Sequence, residues 1–236
     1  MAKYLVGIDE GTTGCKTCVF DLAGNILGTA YREYPCYYPN PGWVEQKAED
    51  IIPMLYESCK EAVEKSGVDP KDIACASFST QGSLVCVLGE DNEPVRNFIG
   101  WQDVRSVAEQ EELFTVLSKE ETYKEVGATQ ITQAISKLYW IKKHQPEVWA
   151  KVTRIATSMD YALYKFGADE FAADGSSCGR LGLLAVDDYK WSPKMMKILG
   201  VDESMLPRVA KLGEVIGHVK EDISALTGLP VGCPLC

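Results

Sequence analysis

The strongest constraint on this chain lies at its start, where three strand-like segments follow one another across turns too short to hold a helix. Tyr4 to Asp9 reads as a strand and Gly11-Thr12-Thr13-Gly14 as a turn. Lys16 to Asp21, rich in β-branched and aromatic residues, reads as a second strand. Ala23-Gly24-Asn25 is another turn, and Ile26 to Tyr34 a third strand. Segments joined this tightly pair antiparallel, because a parallel pair needs a crossover of a dozen residues or more. An opening meander of this kind excludes a doubly wound, all-parallel sheet.

Helices come only afterwards. Ala48 to Lys65 places Ile51, Leu55, Cys59, Ala62 and Val63 on one face and stops at Gly67. Pro53 is awkward inside it and predicts either a position near the first turn or a kink. Ile73 to Phe78 and Leu84 to Leu88 read as strands, Val104 to Leu117 and Gln133 to His144 as amphipathic helices. Val152 to Ala156 reads as a short strand, Ser158 as the cap of a helix ending near Gly167, Val215 to Val219 as a last strand and Asp222 to Thr227 as a short helix. A meander followed by mixed elements predicts an α/β domain built on a mixed sheet. The 236 residues suffice for a sizeable core without staples.

Composition narrows the function classes. The formal net charge of -10 argues against a general binder of nucleic acid or membrane surfaces, which should be basic. No apolar run approaches the ~20 residues of a membrane span. Met1-Ala2-Lys3-Tyr4 carries no secretory h-region, so a cytoplasmic location with reduced thiols is expected for the nine cysteines. Cys15-Lys16-Thr17-Cys18 and Cys233-Pro234-Leu235-Cys236 have CxxC spacing. The first pair sits in a strand, where residues three apart face opposite ways, so no zinc site is expected. His144 and His218 have no carboxylate or cysteine at ligand spacing, and the Glu109-Gln110-Glu111-Glu112 run reads as a solvated helix face.

The first turn carries the chemistry. Gly7-Ile8-Asp9-Glu10-Gly11-Thr12-Thr13-Gly14 ends a buried-looking strand. Its glycines permit a tight turn that brings amides near an anion, and its threonine hydroxyls can donate to phosphate oxygens. Asp9 at the strand end could hold Mg2+ directly or through water. It is not a Walker loop, since GxxxxGK[ST] is absent and a strand follows. A plain hairpin turn needs the same residue types.

Read with its context, this segment resembles the phosphate-binding hairpin of the FGGY family of carbohydrate kinases. The likeness continues through Lys16 and Val19-Phe20-Asp21, Pro41-Gly42-Trp43-Val44-Glu45-Gln46, and Trp101-Gln102-Asp103-Val104-Arg105. It returns in Ser136-Lys137-Leu138-Tyr139-Trp140, Asp160-Tyr161, Ala173-Asp174-Gly175-Ser176 and Thr227-Gly228-Leu229-Pro230-Val231-Gly232. The resemblance implies an actin-like, ribonuclease H-like fold over residues 1–236. It also implies the sugar- or polyol-holding half of an ATP- and Mg2+-dependent kinase.

On that likeness, Asp9 would organise Mg2+ while Gly11, Thr12 and Thr13 cradle the ATP phosphates. Lys16 would add positive charge or simply face solvent. Gln81, Gly82 and Ser83 fall in the substrate loop after the Ile73 to Phe78 strand. Glycerol kinases carry Arg-Glu and xylulose kinases Met-His at the last two positions, and Gly82 and Ser83 match neither. Trp101, Asp103 and Arg105 would recognise the sugar through a ring face and paired hydrogen bonds. The alternative is an Asp103–Arg105 pair capping the next helix with Trp101 in the core. Asp174-Gly175-Ser176-Ser177 reads as a turn.

The family's general base, an aspartate in a GxGDQ-like segment, is expected beyond Cys236, so this chain alone is expected to be inactive. Two other readings stand beside this one. The chain is a sugar-binding or interaction domain without activity, or one half of a split kinase. A C-terminal kinase domain is the expected partner, and a homodimer is expected if the facing surface stays uncovered.

Overall fold

In the computed structural model, which describes residues 3–127 and 134–236, the meander forms as expected. Strands β1 (Tyr4–Glu10), β2 (Gly14–Asp21) and β3 (Ile26–Glu33) pair antiparallel in sequence order. β4 (Ile73–Thr80) runs parallel to β1 on its other side. Short strands β5 (Gly217–His218) and β6 (Pro234–Leu235) complete a six-stranded mixed sheet in the order β5-β6-β4-β1-β2-β3. The expected strand Val215 to Val219 is therefore cut to two residues, since only these meet β6.

Helix α1 (Ala48–Ser66) packs on β2 and β3. Ile51, Leu55, Cys59, Ala62 and Val63 are buried as their spacing implies, and Ile52 and Ser58 join them. Pro53 lies in the second turn of one continuous helix, on its solvent side. Its missing N–H would have met the Glu49 carbonyl, which water can satisfy on that face. The helix approaches the sheet closely at Gly28, where a Cβ would stand 2.3 Å from the Ala62 carbonyl oxygen.

A second apolar cluster lies beyond this core. Helix α2 (Val107–Val116) and helix α3 (Ala134–His144) pack together there, with Leu113, Ile135, Leu138 and Ile141 inside. The expected helix from Val104 starts at Val107, because Trp101 to Arg105 is held in an irregular loop. Gln133, the expected first residue of α3, lies outside the described residues. The 109–112 run is not wholly solvated. Glu109 and Gln110 are buried, and Glu109 Oε1 lies 2.8 Å from His144 Nε2 on α3. Acidic sequence alone does not show that a helix face is covered by a neighbour carrying His144 and Lys143.

The strand expected at Leu84 to Leu88 is Cys86–Leu88, paired with Arg154–Ala156. Helix α4 (Ser158–Lys165) follows, and its N-cap is Thr157 rather than Ser158. Thr157 and Asp160 form a reciprocal capping box. The segment read as a turn at Asp174 begins a short helix α5 (Gly175–Gly179). Asp174 caps it by accepting from the amides of Ser176 at 2.7 Å and Ser177 at 3.2 Å. Helix α6 (Glu221–Thr227) lies between β5 and β6 and stops at Gly228 in the left-handed region.

Candidate functional site

The parallel neighbours β1 and β4 end on the same side of the sheet, with Asp9 opposite Ser79 and Glu10 opposite Thr80. Ligands in α/β sheets collect where parallel strands end. A cavity of about 400 Å3 opens there, lined by Asp9, Glu10, Gly11, Thr12, Trp101 and the 80–83 loop. Arg180 closes another side of it.

The Gly11 to Gly14 turn is tied from behind. The Gly11 amide donates to the Gly14 carbonyl at 3.0 Å. Tyr34 Oη donates to the Gly11 carbonyl at 2.5 Å, and Gln46 Nε2 to the Thr12 carbonyl at 2.8 Å. No described carbonyl takes the amides of Thr12 or Thr13. Fixed carbonyls and unclaimed amides suit an anion at this turn. Gly14 serves a different purpose: a Cβ there would stand 2.4 Å from the Arg32 carbonyl oxygen of β3. Asp9 is exposed at the strand end and pairs with no described cation. Lys16 faces Asp9 across the β1–β2 ladder, exposed, and it does not line the cavity. Thr13 is exposed at the turn tip and outside the cavity wall.

Gln81 stands where the two halves of the wall meet. Its Nε2 reaches Gln46 Oε1 at 2.9 Å, the Gly11 carbonyl at 3.2 Å and Glu10 Oε1 at 3.3 Å. Its amide donates to the Glu10 carbonyl at 2.7 Å. Ser158 Oγ at the start of α4 donates to the Gln81 carbonyl at 2.9 Å, which fixes the loop from below. Burial pushes the Glu10 carboxyl up to about 8, against the hydrogen bond from Gln81 and with Asp9 adding to the rise. Ser83 has φ of +61°, a left-handed conformation that costs a side-chain-bearing residue free energy and is held here by the loop.

Trp101 stands across the cavity, 44% exposed, and donates its indole N–H to Thr12 Oγ1 at 3.0 Å. The expectation of a core Trp101 fails, because its loop is hoisted over the cavity by Lys137. That buried lysine donates to the carbonyls of Gly100 at 2.7 Å and Trp101 at 3.2 Å. Burial holds its ammonium down at about 8, although Asp103 opposes the shift.

Asp103 and Arg105 are not brought to the cavity. Both side chains are fully buried, and Arg105 Nη2 lies 2.8 Å from Asp103 Oδ2 and from Glu45 Oε1. Arg96 joins Glu45 at 2.6 Å. The Arg105 guanidinium stacks 3.8 Å from the Trp43 ring centroid, and Asp103 Oδ2 accepts from the Val44 amide at 2.6 Å. Nor does Asp103 cap α2, whose N-cap is Ser106. The pair is a buried ionic knot that clamps the Trp101 loop to the Trp43–Gln46 segment. A two-residue spacing in sequence cannot tell a knot from a sugar-binding pair, because the deciding partners Glu45 and Arg96 are remote.

The site therefore holds Asp9, Gly11, Thr12, Gln81, Gly82, Ser83 and Trp101 together, and leaves out Thr13, Lys16, Asp103 and Arg105. Sequence reasoning missed Glu10, Thr80, Lys137, Ser158 and Arg180. Of these, Lys137 lay inside a segment already matched to the family. A larger cavity, of about 540 Å3, is lined by Lys47, Glu93, Arg96, Tyr161 and Lys165 among others. Its cations are already paired, Lys47 with Glu49, Lys165 with Glu93 and Arg96 with Glu45, so it offers little to a charged ligand.

Comparison with known proteins agrees with this geometry. Over residues 4–236 the sequence matches the FGGY family of carbohydrate kinases, N-terminal domain. A glycerol kinase of Thermococcus gammatolerans is 29% identical over 231 residues, spanning 94% of this chain and 46% of that protein. One from Desulforamulus reducens is 32% identical over 228 residues, spanning 93% and 45%. Gluconate kinase from Lactobacillus acidophilus superposes with a TM-score of 0.93 at 23% identity, covering all of this chain and 47% of that one. Xylulose kinase from the same organism gives 0.92 at 24% identity, covering 99% and 47%. These structures establish the actin-like fold, and the chain spans about half the length of the curated relatives it matches. The mixed sheet, the hairpin with its tied carbonyls and the match over residues 4–236 place this chain in the FGGY family of carbohydrate kinases, as its N-terminal domain.

Proposed function

We propose that this chain is the substrate-holding lobe of an ATP-dependent sugar or polyol kinase, acting with a second lobe that completes the nucleotide site. The observation that carries this reading is the shared cavity. The amide-bearing turn of Gly11 and Thr12 and the loop of Gln81 to Ser83 face the same space, with Trp101 spanning them. Phosphoryl transfer depends mainly on positioning and on charge neutralisation, so one wall for phosphate and one for the acceptor hydroxyl is the required layout.

Mg2+-ATP fits the phosphate wall. Asp9 is an unpaired carboxylate beside unclaimed amides, and Mg2+ bound through one carboxylate keeps its remaining positions for phosphate oxygens and water. When bound, the nucleotide supplies the phosphoryl group and its metal the charge neutralisation. The chain's own residues do the rest. Asp9 anchors the cation, the amides of Thr12 and Thr13 take phosphate oxygens, and Thr12 Oγ1 is steadied by Trp101. The Trp101 ring offers an apolar face to sugar C–H groups, while Gln81 and Ser83 fix the hydroxyls. Thr13 belongs in this scheme through its backbone alone. Lys16, Asp103 and Arg105 act at a distance from the ligand, the latter two by holding the Trp101 loop.

The test is an ADP-release assay on the chain joined to the second lobe of its relatives, run against a panel of ketoses, polyols and sugar acids. The reading expects turnover that depends on one member of the panel and falls by at least about 100-fold in Asp9→Asn. Turnover unchanged in Asp9→Asn, or absent with every acceptor, contradicts it.

A further inference from the structure

We infer that Arg180 selects the substrate, and that the substrate class is a polyhydroxylated carboxylate, a sugar acid of the aldonate kind, whose carboxylate this guanidinium takes. The inference rests on the proposed function and deepens it.

Gly82 explains why the guanidinium stands there. A Cβ on Gly82 would meet Arg180 Nε at 3.2 Å and its Cδ at 3.4 Å. The arginine side chain therefore lies over the glycine backbone, in the space that a side chain at position 82 would fill. The guanidinium absent from position 82 by sequence arrives from the end of α5 instead.

The surroundings set its chemistry. From the main cavity a recess of about 110 Å3 leads off behind the 80–83 loop, and Arg180 stands at the mouth, lining both. The recess wall holds hydroxyls, including Ser83, Thr157 and Ser176, and no carboxylate. Asp9, Gly11 and Thr12 do not line it, so it belongs to the acceptor side and not to the phosphate turn. Among the described residues the Arg180 guanidinium has no ion-pair or hydrogen-bond partner. The two carboxylates of the main cavity are engaged otherwise: Glu10 takes the hydrogen bond from Gln81, and Asp9 serves the phosphate side.

A neutral polyol would be held poorly by such a wall. On the 80–83 loop the residue beside Gly82 is Ser83, so the recess gives this guanidinium no carboxylate neighbour. An unpaired guanidinium fork beside the unengaged hydroxyls of Ser83 and Ser176 is complementary to a planar carboxylate, with two parallel N–H···O bonds available.

The discriminating ligands are D-gluconate and D-glucitol, which differ only in a carboxylate against a hydroxymethyl group at one end. Calorimetric titration of the 236-residue chain with each, and with Mg2+-ADP, should be run on wild type, Arg180→Gln and Arg180→Lys. Wild type should bind gluconate at least about tenfold more tightly than glucitol, the scale of one charged hydrogen-bonding contact. Arg180→Gln should erase that ratio and Arg180→Lys leave an intermediate one. Mg2+-ADP affinity and the melting temperature should not move. Equal binding of both ligands, or a ratio that survives Arg180→Gln, overturns the inference and leaves the kinase reading standing. A loss of Mg2+-ADP affinity in Arg180→Gln would assign the guanidinium to the nucleotide instead and also overturn it. Failure of all sugars, neutral and acidic, to bind would contradict the kinase reading itself.

Discussion

The indole N–H of Trp101 donates to Thr12 Oγ1 at 3.0 Å, linking residues 89 apart in sequence. This bond couples the phosphate turn to the acceptor wall, so ordering of one side should be felt by the other. In a double-mutant cycle with Trp101→Phe and Thr12→Val, urea unfolding should give a coupling energy of about 0.5–1 kcal/mol. Additive losses would show that the bond does not form in solution.

The ionic knot makes a prediction of the opposite kind. Asp103→Ala leaves Arg105 buried beside Arg96 with Glu45 as the remaining acid, and should cost about 3–5 kcal/mol of stability. Denaturant unfolding reads this directly. A direct substrate-contacting role would appear instead as lost ligand affinity at an unchanged unfolding midpoint.

Asp160 should give the fold an unusual pH dependence. Burial pushes its carboxyl up to about 7, although the hydroxyl and amide of Thr157 oppose the rise. Between about pH 4 and 7 the folded state holds a proton that the unfolded chain has released. Its contribution is therefore complete below pH 4 and is lost as pH rises through 7, by at most about 1.4 kcal/mol per pH unit. Asp160→Asn keeps an acceptor for Thr157 and has no proton to lose. The stability difference between wild type and Asp160→Asn should shift against wild type over that interval. A difference constant with pH would refute the account.

Gly28 tests the close approach of α1 to the sheet. An alanine Cβ there would sit 2.3 Å from the Ala62 carbonyl and 2.6 Å from the Ser66 amide nitrogen, so helix and strand must separate. Gly28→Ala should cost about 1–3 kcal/mol by thermal or urea unfolding. Gly24→Ala, at a position with nothing near its Cβ but with φ of +86°, separates crowding from backbone strain.

Much of the fold was legible because its signals are local. The three opening strands are separated by turn residues that name themselves, and the apolar face of α1 repeats with helical spacing. The hairpin from Asp9 to Thr13 was legible for the same reason. What stayed hidden depends on remote partners. Asp103 and Arg105 read as a sugar-binding pair or as a helix-capping pair until Glu45, Arg96 and Trp43 are seen around them. Glu109 and Gln110 read as solvated until α3 covers them. Lys137 has no assigned role in the sequence, yet it is buried under the Trp101 loop, holding two carbonyls. Arg180 carries no motif, and its place is visible only from the space above Gly82.

The central claim is that phosphate and acceptor meet in the cavity between the Gly11–Thr13 turn and the Gln81–Ser83 loop. Amide chemical-shift mapping of the 15N-labelled chain during titration with Mg2+-ADP, and then with a sugar, tests it most directly. The account predicts that Mg2+-ADP moves the amides of Gly11, Thr12 and Thr13, that the sugar moves those of Gln81, Gly82 and Ser83, and that both move the indole N–H of Trp101. Shifts confined to the neighbouring cavity of Lys47, Glu93, Tyr161 and Lys165 would contradict it.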